Sequence, residues 1–183
     1  MVKTDIEPKL VILVAFIFLG GCKSPYHSPL IPPGERAQKA VSELDSLKQK
    51  AMLAREISVK ALENAYAALH EAQRLYLKSL KSYSYSEIES ARAELAKIQL
   101  DVDDATKKVE EMSRLTAEAI SSANNAIREA QLASSALTAE EAENSANKAE
   151  QLAKIVRDNT TNAVLIAEQL KEKWLLPPFA ENK

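Results

Sequence analysis

The chain of 183 residues contains one cysteine, three glycines and few aromatic residues, which make up 5% of the sequence. A single cysteine excludes an intrachain disulfide, so packing alone must stabilise the fold. No glycine or proline lies between residues 35 and 176. Glycine and proline are the strongest helix breakers, at about 1 and 3 kcal/mol relative to alanine, so their absence predicts almost unbroken helix.

The sequence also lacks the residue patterns that catalysis and cofactor binding require. Its two histidines, His27 and His70, have no second histidine or cysteine at ligand spacing, which argues against a zinc site. The acidic cluster 101–104 lacks the glycine and the spacing of a calcium loop, and we expect it on a solvated helix face. Without interior glycine no phosphate-cradling loop can form. We therefore expect a protein that is not an enzyme and has no metal, no cofactor and no small-molecule substrate.

The balance of charges argues against one further class of partner. A net charge of −2 provides no positive field that would steer the protein towards nucleic acid. We expect partners of the protein to be other proteins, a membrane, or further copies of the chain.

What the sequence does contain is a regular spacing of small and apolar residues. They recur at alternating steps of four and three, and alanine is the commonest residue among them. This heptad spacing is typical of helices that supercoil around each other. It predicts helices over about 35–81, 87–137 and 139–175.

Serine and threonine residues indicate where these helices begin. Ser84 with Glu87, or alternatively Ser86 with Glu89, fits the capping box that starts a helix, and Thr138 with Glu141 fits it again. The third helix should end before Pro177, because proline disfavours helical geometry in the residue that precedes it.

Matching of side-chain volumes predicts how the helices pair. A reversal near residues 83–85 places the alanines of the first helix opposite Ile98, Val102 and Val109, and it places Leu44 and Leu47 opposite a run of alanines. Large residues opposite small ones fill space at close helix separation. The predicted fold class is therefore all-α: an elongated antiparallel bundle or coiled coil of two long helices plus a third, with alanine-rich seams.

An intermolecular coil of the long segments is the alternative to this monomeric bundle. The turn at Thr138 contains no glycine, and one capping box can also occur within a continuous helix. Alanine buries little apolar area, so such helices need length or extra partners to be stable.

The N-terminal segment carries the one motif with a definite chemistry. Residues 10–18 are apolar, and the sequence Leu19-Gly20-Gly21-Cys22 follows directly. Small residues before a cysteine let an extended backbone enter a narrow protease site, and an aliphatic residue three positions before it fills a pocket. The motif resembles the lipobox of bacterial lipoproteins. The resemblance implies removal of residues 1–21 as a signal peptide by cleavage between Gly21 and Cys22, followed by S-diacylglycerol attachment and N-acylation of Cys22.

Two other interpretations of this segment fit less well. A transmembrane helix needs about 20 apolar residues, and this run is shorter and ends at two glycines. A buried structural thiol is possible for a lone cysteine, but Cys22 lies between the apolar run and a proline-rich stretch. The resemblance further implies, since Lys23 rather than aspartate follows Cys22, an outer-membrane location, where we expect the protein to face the periplasm.

Polar and apolar segments outside the helices could contact a partner. Residues 22–34 contain four prolines and predict an extended tether of about 35 Å. Tyr83 and Tyr85 at the predicted hairpin turn are candidate contacts, unless they pack against their own turn. Phe179 in the tail 177–183 could dock on a partner as part of a stiff proline segment, or could cover the end of the bundle.

These features predict a lipid-anchored helical module of the cell envelope with a structural or protein-interaction role. One alternative is a component of an envelope assembly that resembles the coiled-coil hairpin of efflux adaptors. Those adaptors interrupt the hairpin with β-rich domains, and this chain has no glycine-punctuated strands. Another alternative is a surface lipoprotein that binds an external ligand.

Overall fold

The structure is a computed structural model that describes residues 31–82 and 84–176. Of these described residues 91% are helical, and none is in a β-strand. Residues 31–82 and 84–176 form four helices: α1 (Pro33–Val41), α2 (Leu44–Ser79), α3 (Tyr85–Ser135) and α4 (Ala139–Trp174). The predicted signal peptide, the lipidation residue Cys22 and the tail residue Phe179 lie outside the described residues.

The three long helices pack against each other, and α1 packs against α3 and α4. In one core cluster Leu44, at the start of α2, contacts alanines of the second half of α3. In another, Ala65 further along α2 contacts Val102 near the start of α3. The two helices are therefore antiparallel, and the chain reverses again between α3 and α4. The prediction of an all-α antiparallel bundle is confirmed, and the helices pair within one chain.

The core follows the predicted exchange of large and small residues. Leu44 is 0% exposed and lies among Ala119, Ala123 and Ala126 of α3. Near the C-terminal end of α4, Leu170 packs in one cluster with Ala61 and Ala65 of α2 and with Val102 of α3. Because most seam positions are alanine, the helices lie close together and the few leucines fill the remaining space.

The first predicted helix, over 35–81, is two helices in the structure. The break lies at Ser42 and Glu43, between α1 and α2. The Ser42 hydroxyl donates to the Lys39 carbonyl oxygen at 2.8 Å, and the Ser42 N–H donates to the same atom at 3.4 Å. Such short-range hydrogen bonds compete with the helical ladder, which explains the interruption.

The predicted tether extends two residues too far, because Pro33 and Gly34 belong to α1. Proline suits the first turn of a helix, where its missing N–H would have no helical partner. Gly34 lies directly against α3: a Cβ at this position would be 3.3 Å from the Cα of Ser134. A glycine is therefore needed here for close approach of the two helices.

Both predicted helix starts are capped by side chains. The Glu87 N–H donates to the Ser84 hydroxyl at 3.5 Å, and the Glu141 N–H donates to the Thr138 hydroxyl at 3.2 Å. Of the two alternatives at the first turn, Ser84 is thus the cap of α3. The N–H of Ser84 itself donates to the Ser82 hydroxyl at 3.4 Å.

Candidate functional site

The bundle is incomplete at one end, because α4 is shorter than α3. α4 ends at Trp174, beside Asn64 of α2 and Asp101 of α3, whereas α3 begins at Tyr85. We call residues 68–82 and 84–100 the tip, and the remaining described residues the body. The tip has two helices where the body has three, over a length of about 24 Å at 1.5 Å per residue.

Hydrogen bonds mark the level at which α4 stops. The Asn64 side chain donates to the Trp174 carbonyl oxygen at 2.9 Å, and the Lys173 ammonium donates to the Asp101 carboxylate at 2.7 Å. Pro177 lies three residues after Trp174, and it disfavours a helical conformation at Leu176. The end of α4 is therefore fixed by contacts on both neighbouring helices.

Beyond Trp174 the vacant third position is a groove between α2 and α3, with a volume of about 600 Å³. Alanine and larger apolar residues alternate with serine and glutamate in its lining. The lining residues are Ala68, Glu71, Ala72, Leu75, Ser86, Glu87, Ser90, Ala91, Glu94 and Ile98.

Burial changes at the same level. Among the described tip residues only Ala72 is buried, at 6% exposure. Five large apolar residues of the tip are substantially exposed: Leu75, Leu77, Leu80, Tyr85 and Leu100, at 46%, 61%, 46%, 78% and 71%. The tip thus buries almost none of its heptad-spaced residues, whereas the body buries most of them, although large apolar residues such as Met52 and Leu53 are exposed in the body as well.

The acidic residues of α3 continue a pattern that starts in the body. Asp101, Glu94 and Glu87 are seven residues apart, so they lie at the same heptad position of α3. In the body this position is paired with Lys173 of α4. At the tip neither Glu94 nor Glu87 has an ion pair within the described part of the chain.

The other edge of the groove carries Glu71 of α2. Its two carboxylate oxygens accept from the Arg74 guanidinium at 2.6 and 2.7 Å. These hydrogen bonds hold the pKa of Glu71 below the ordinary glutamate value. The groove therefore has an apolar floor, the carboxylates of Glu87 and Glu94 along its α3 edge, and the Glu71–Arg74 ion pair along its α2 edge.

The structure places only part of the predicted contact set. Tyr85 lies at the tip as expected and is the most exposed of its large apolar residues. Tyr83 and Phe179 lie outside the described residues, as do Gly21 and Cys22 at the predicted cleavage site. The groove was not predicted from the sequence. The one feature of the sequence that indicates it is that the third predicted helix is shorter than the second.

The expectation of a solvated face for the acidic cluster 101–104 is wrong for its first member. Asp101 is half-buried at the α3–α4 contact and pairs with Lys173, whereas Asp104 pairs with Lys108 on its own helix at 3.0 Å. In the sequence, Asp101 differs from Asp103 and Asp104 in that it lies seven and fourteen residues after Glu94 and Glu87, at the same heptad position.

Two further grooves lie between α2 and α3 in the middle of the body, with volumes of about 510 and 480 Å³. Most of the residues that line them are of polar types, and both grooves include Ile120 and Asn124. They lie where all three long helices are present, so they do not mark a missing element of the fold.

At the opposite end of the bundle, a single arginine links α1 to α4. Arg36 of α1 donates to Glu143, Asn147 and Glu150 of α4, at 2.9, 2.9 and 3.0 Å. The hydrogen bonds to Glu150 and Glu143 raise the pKa of Arg36. This end is held by specific ion pairs, in contrast to the groove at the tip.

No three histidine, cysteine, aspartate or glutamate side chains within residues 31–82 and 84–176 are grouped as a metal site. None of the four helices described is both long and apolar enough to span a membrane.

Comparison of the chain with protein-family models, with curated proteins and with solved structures finds no match.

Proposed function

We propose that this protein is a lipid-anchored, non-enzymatic module of the bacterial cell envelope that presents its helical tip to a protein partner. The observation that carries the proposal is the open two-helix tip, with exposed Leu75, Leu77, Leu80 and Tyr85. Clustered apolar side chains that a fold leaves in solvent are typical of interaction surfaces.

The direction of the chain supports this arrangement. α1 begins beside the end of α3, because Gly34 lies against Ser134. The tip is at the other end of α2, which at 36 residues is about 54 Å long. An anchor that precedes α1 and a partner that binds the tip would therefore act at opposite ends of the bundle.

The proposed anchor is acylated Cys22, for which the lipobox resemblance is the support. Each buried CH₂ of an acyl chain contributes about 0.8 kcal/mol, and stable attachment takes more than one chain. We propose attachment to the outer membrane, with the bundle in the periplasm. Protease added to intact cells should then leave the protein uncut, and cleavage would instead indicate a surface lipoprotein.

Fractionation of a Cys22→Ser variant tests the anchor. We expect loss of fatty-acid labelling and of membrane retention, while the helical content measured by circular dichroism stays unchanged. Retention of the variant in the membrane fraction would contradict lipid anchoring.

Crosslinking in cells tests the role of the tip. A photo-reactive amino acid at Tyr85 should yield a discrete protein adduct, whereas the same group at Leu165, which is 57% exposed in the body, should not. Equal adducts from both positions, or none from Tyr85, would contradict partner binding at the tip.

A further inference from the structure

The groove at the tip is the place of a third helix that the described residues do not supply. Its floor continues the surface that α4 covers in the body, since Ile98 belongs to the same apolar cluster as Leu170 and Trp174. Ala91 lies seven residues before Ile98, and both line the groove. A surface with heptad spacing is complementary to another helix with heptad spacing.

α4 shows which charge a helix in this position carries. It runs antiparallel to α3 and places Lys173 2.7 Å from Asp101. A helix that continued the line of α4 would bring its residues seven and fourteen positions further on opposite Glu94 and Glu87. Lysine or arginine at those positions would repeat the ion pair that the body already contains.

We infer that the groove binds an amphipathic helix of a partner protein, with a small-residue apolar stripe and with lysine or arginine at seven-residue spacing facing Glu94 and Glu87. The bound helix lies end to end with α4 and occupies about four turns, because the uncovered length is about 24 Å. It converts the two-helix tip into a three-helix bundle like the body. This inference rests on the proposed function, since it names the chemistry of the partner that the tip receives.

The sequence of the tail does not fit this position. The residue seven positions after Lys173 is Ala180, which has no charge, and Pro177 with Pro178 interrupts any helical continuation of α4. The tail therefore has no basic residue at the seven-residue spacing from Lys173, and its two prolines do not fit a continuous helix in the groove.

A second copy of the tip does not fit either. Two grooves placed face to face would oppose the carboxylates of Glu87 and Glu94 with an identical set. Like charges opposed across an interface are unfavourable. Charge complementarity therefore favours a basic helix from another protein.

The first experiment measures binding of a synthetic peptide to the full chain in detergent. The peptide is a helix of about 20 residues with alanine and leucine at the seam positions and lysine at two positions seven apart. A matched peptide carries glutamate at those two positions. Trp174, the only tryptophan of the chain, packs in the same cluster as Ile98 and reports binding by its fluorescence. We expect saturable binding of the basic peptide, at least about tenfold tighter than that of the acidic one at low salt.

Charge reversal provides the matched test of recognition. The double variant Glu87→Lys with Glu94→Lys should lose the basic peptide and bind the acidic one, so a misfolded variant cannot account for the result. The control variant Glu89→Lys with Glu110→Lys reverses two exposed charges of α3 that do not line the groove, and it should keep the original preference. Equal preferences in the two double variants would overturn the inference.

A variant that fills the groove without changing its charge tests whether the shape of the groove is needed for binding. Ala91→Phe places a large side chain in the lining and should abolish binding of the basic peptide while circular dichroism stays unchanged. Tighter peptide binding after removal of residues 177–183 would show that the tail occupies the groove, and would overturn the inference. A change of oligomeric state on charge reversal would show that a second copy occupies it, with the same consequence.

These results are distinguishable from failure of the proposed function. If the tip crosslinks to a partner in cells but the charge-reversed variant crosslinks equally well, the basic-helix inference fails and the interaction role stands. If the Cys22→Ser variant stays in the membrane fraction, the anchoring proposal fails and the peptide measurements are unaffected.

Discussion

α3 passes through two environments, and comparison of them shows what makes a seam residue buried. From Val102 to Ala133 twelve of its residues are buried. From Tyr85 to Asp101 none of them is, although apolar residues recur there with the same spacing. The difference is the presence of α4, which covers α3 only as far as Asp101. A heptad pattern therefore specifies a contact surface, and the number of neighbouring helices decides whether that surface is buried.

The largest expected effect comes from removal of a leucine in the body. Leu44→Ala should lower the free energy of unfolding by about 2–5 kcal/mol, because it leaves a cavity among alanines that cannot fill it. Leu75→Ala at the tip should cost less than about 1 kcal/mol, since that side chain is already half exposed. Urea denaturation followed by circular dichroism measures both. Equal losses would contradict the difference between body and tip.

Replacement of an alanine by a larger residue should also destabilise the protein more in the body than at the tip. Ala123→Leu should destabilise the bundle by about 1–3 kcal/mol, because Ala123 is fully buried and faces Leu44. Ala91→Leu adds the same atoms to the open groove and should change stability by less than about 0.5 kcal/mol. Thermal unfolding of the two variants is the measurement. A penalty at Ala91 as large as that at Ala123 would show that the groove is already filled.

Loss of a helix cap should have a smaller effect that differs between the regions. Thr138→Ala removes the cap that joins α3 to α4 within the body, at an expected cost of about 1 kcal/mol of global stability. Ser84→Ala removes the cap at the tip, where the hydrogen bond is longer, at 3.5 Å against 3.2 Å. We expect this second variant to increase amide exchange in the first turn of α3 and to leave the unfolding midpoint nearly unchanged. A larger midpoint shift for Ser84→Ala than for Thr138→Ala would contradict the expectation that the tip contributes less than the body to global stability.

The smallest expected effect concerns ion pairs that occur in both regions. Glu71 at the tip and Glu111 in the body each accept two hydrogen bonds from an arginine three residues later, and each pKa is lowered as a result. Such pairs stabilise the folded chain above the pKa of the unfolded state, and this stabilisation is lost as the pH falls through the lowered folded pKa. NMR titration should show both carboxyl groups below the ordinary glutamate value. Arg74→Gln should raise the pKa of Glu71 and leave that of Glu111 unchanged; a shift of both would contradict the local origin.

Much of the fold could be predicted from the sequence because its signals are local. The absence of glycine and proline, the heptad spacing and the caps at Ser84 and Thr138 each act within a few residues. The pairing of Leu44 with alanines of α3 followed from volume alone. The break at Ser42 was not predicted, because a single serine within a helical pattern is ambiguous until its hydroxyl bonds to the Lys39 carbonyl.

The candidate site was harder to predict because it arises from a difference between elements. No single residue marks the groove; it exists because α4 ends at Trp174 while α3 continues for four more turns. Tyr85 was a candidate contact because it lies near a predicted turn, but the sequence left open whether its ring is exposed or packs against that turn. Glu87 and Glu94 acquire meaning only once the pair of Asp101 with Lys173 shows what their heptad position faces.

Amide hydrogen exchange of the isolated full chain in detergent tests the central claim most directly, because it compares body and tip in one experiment. An open third-helix position predicts protection in the tip, at 68–82 and 84–100, that is about tenfold to a hundredfold lower than at 102–133, within the same protein and partly within the same helix. Equal protection along the whole of α3 would show that the tip is covered as fully as the body, and would contradict the account.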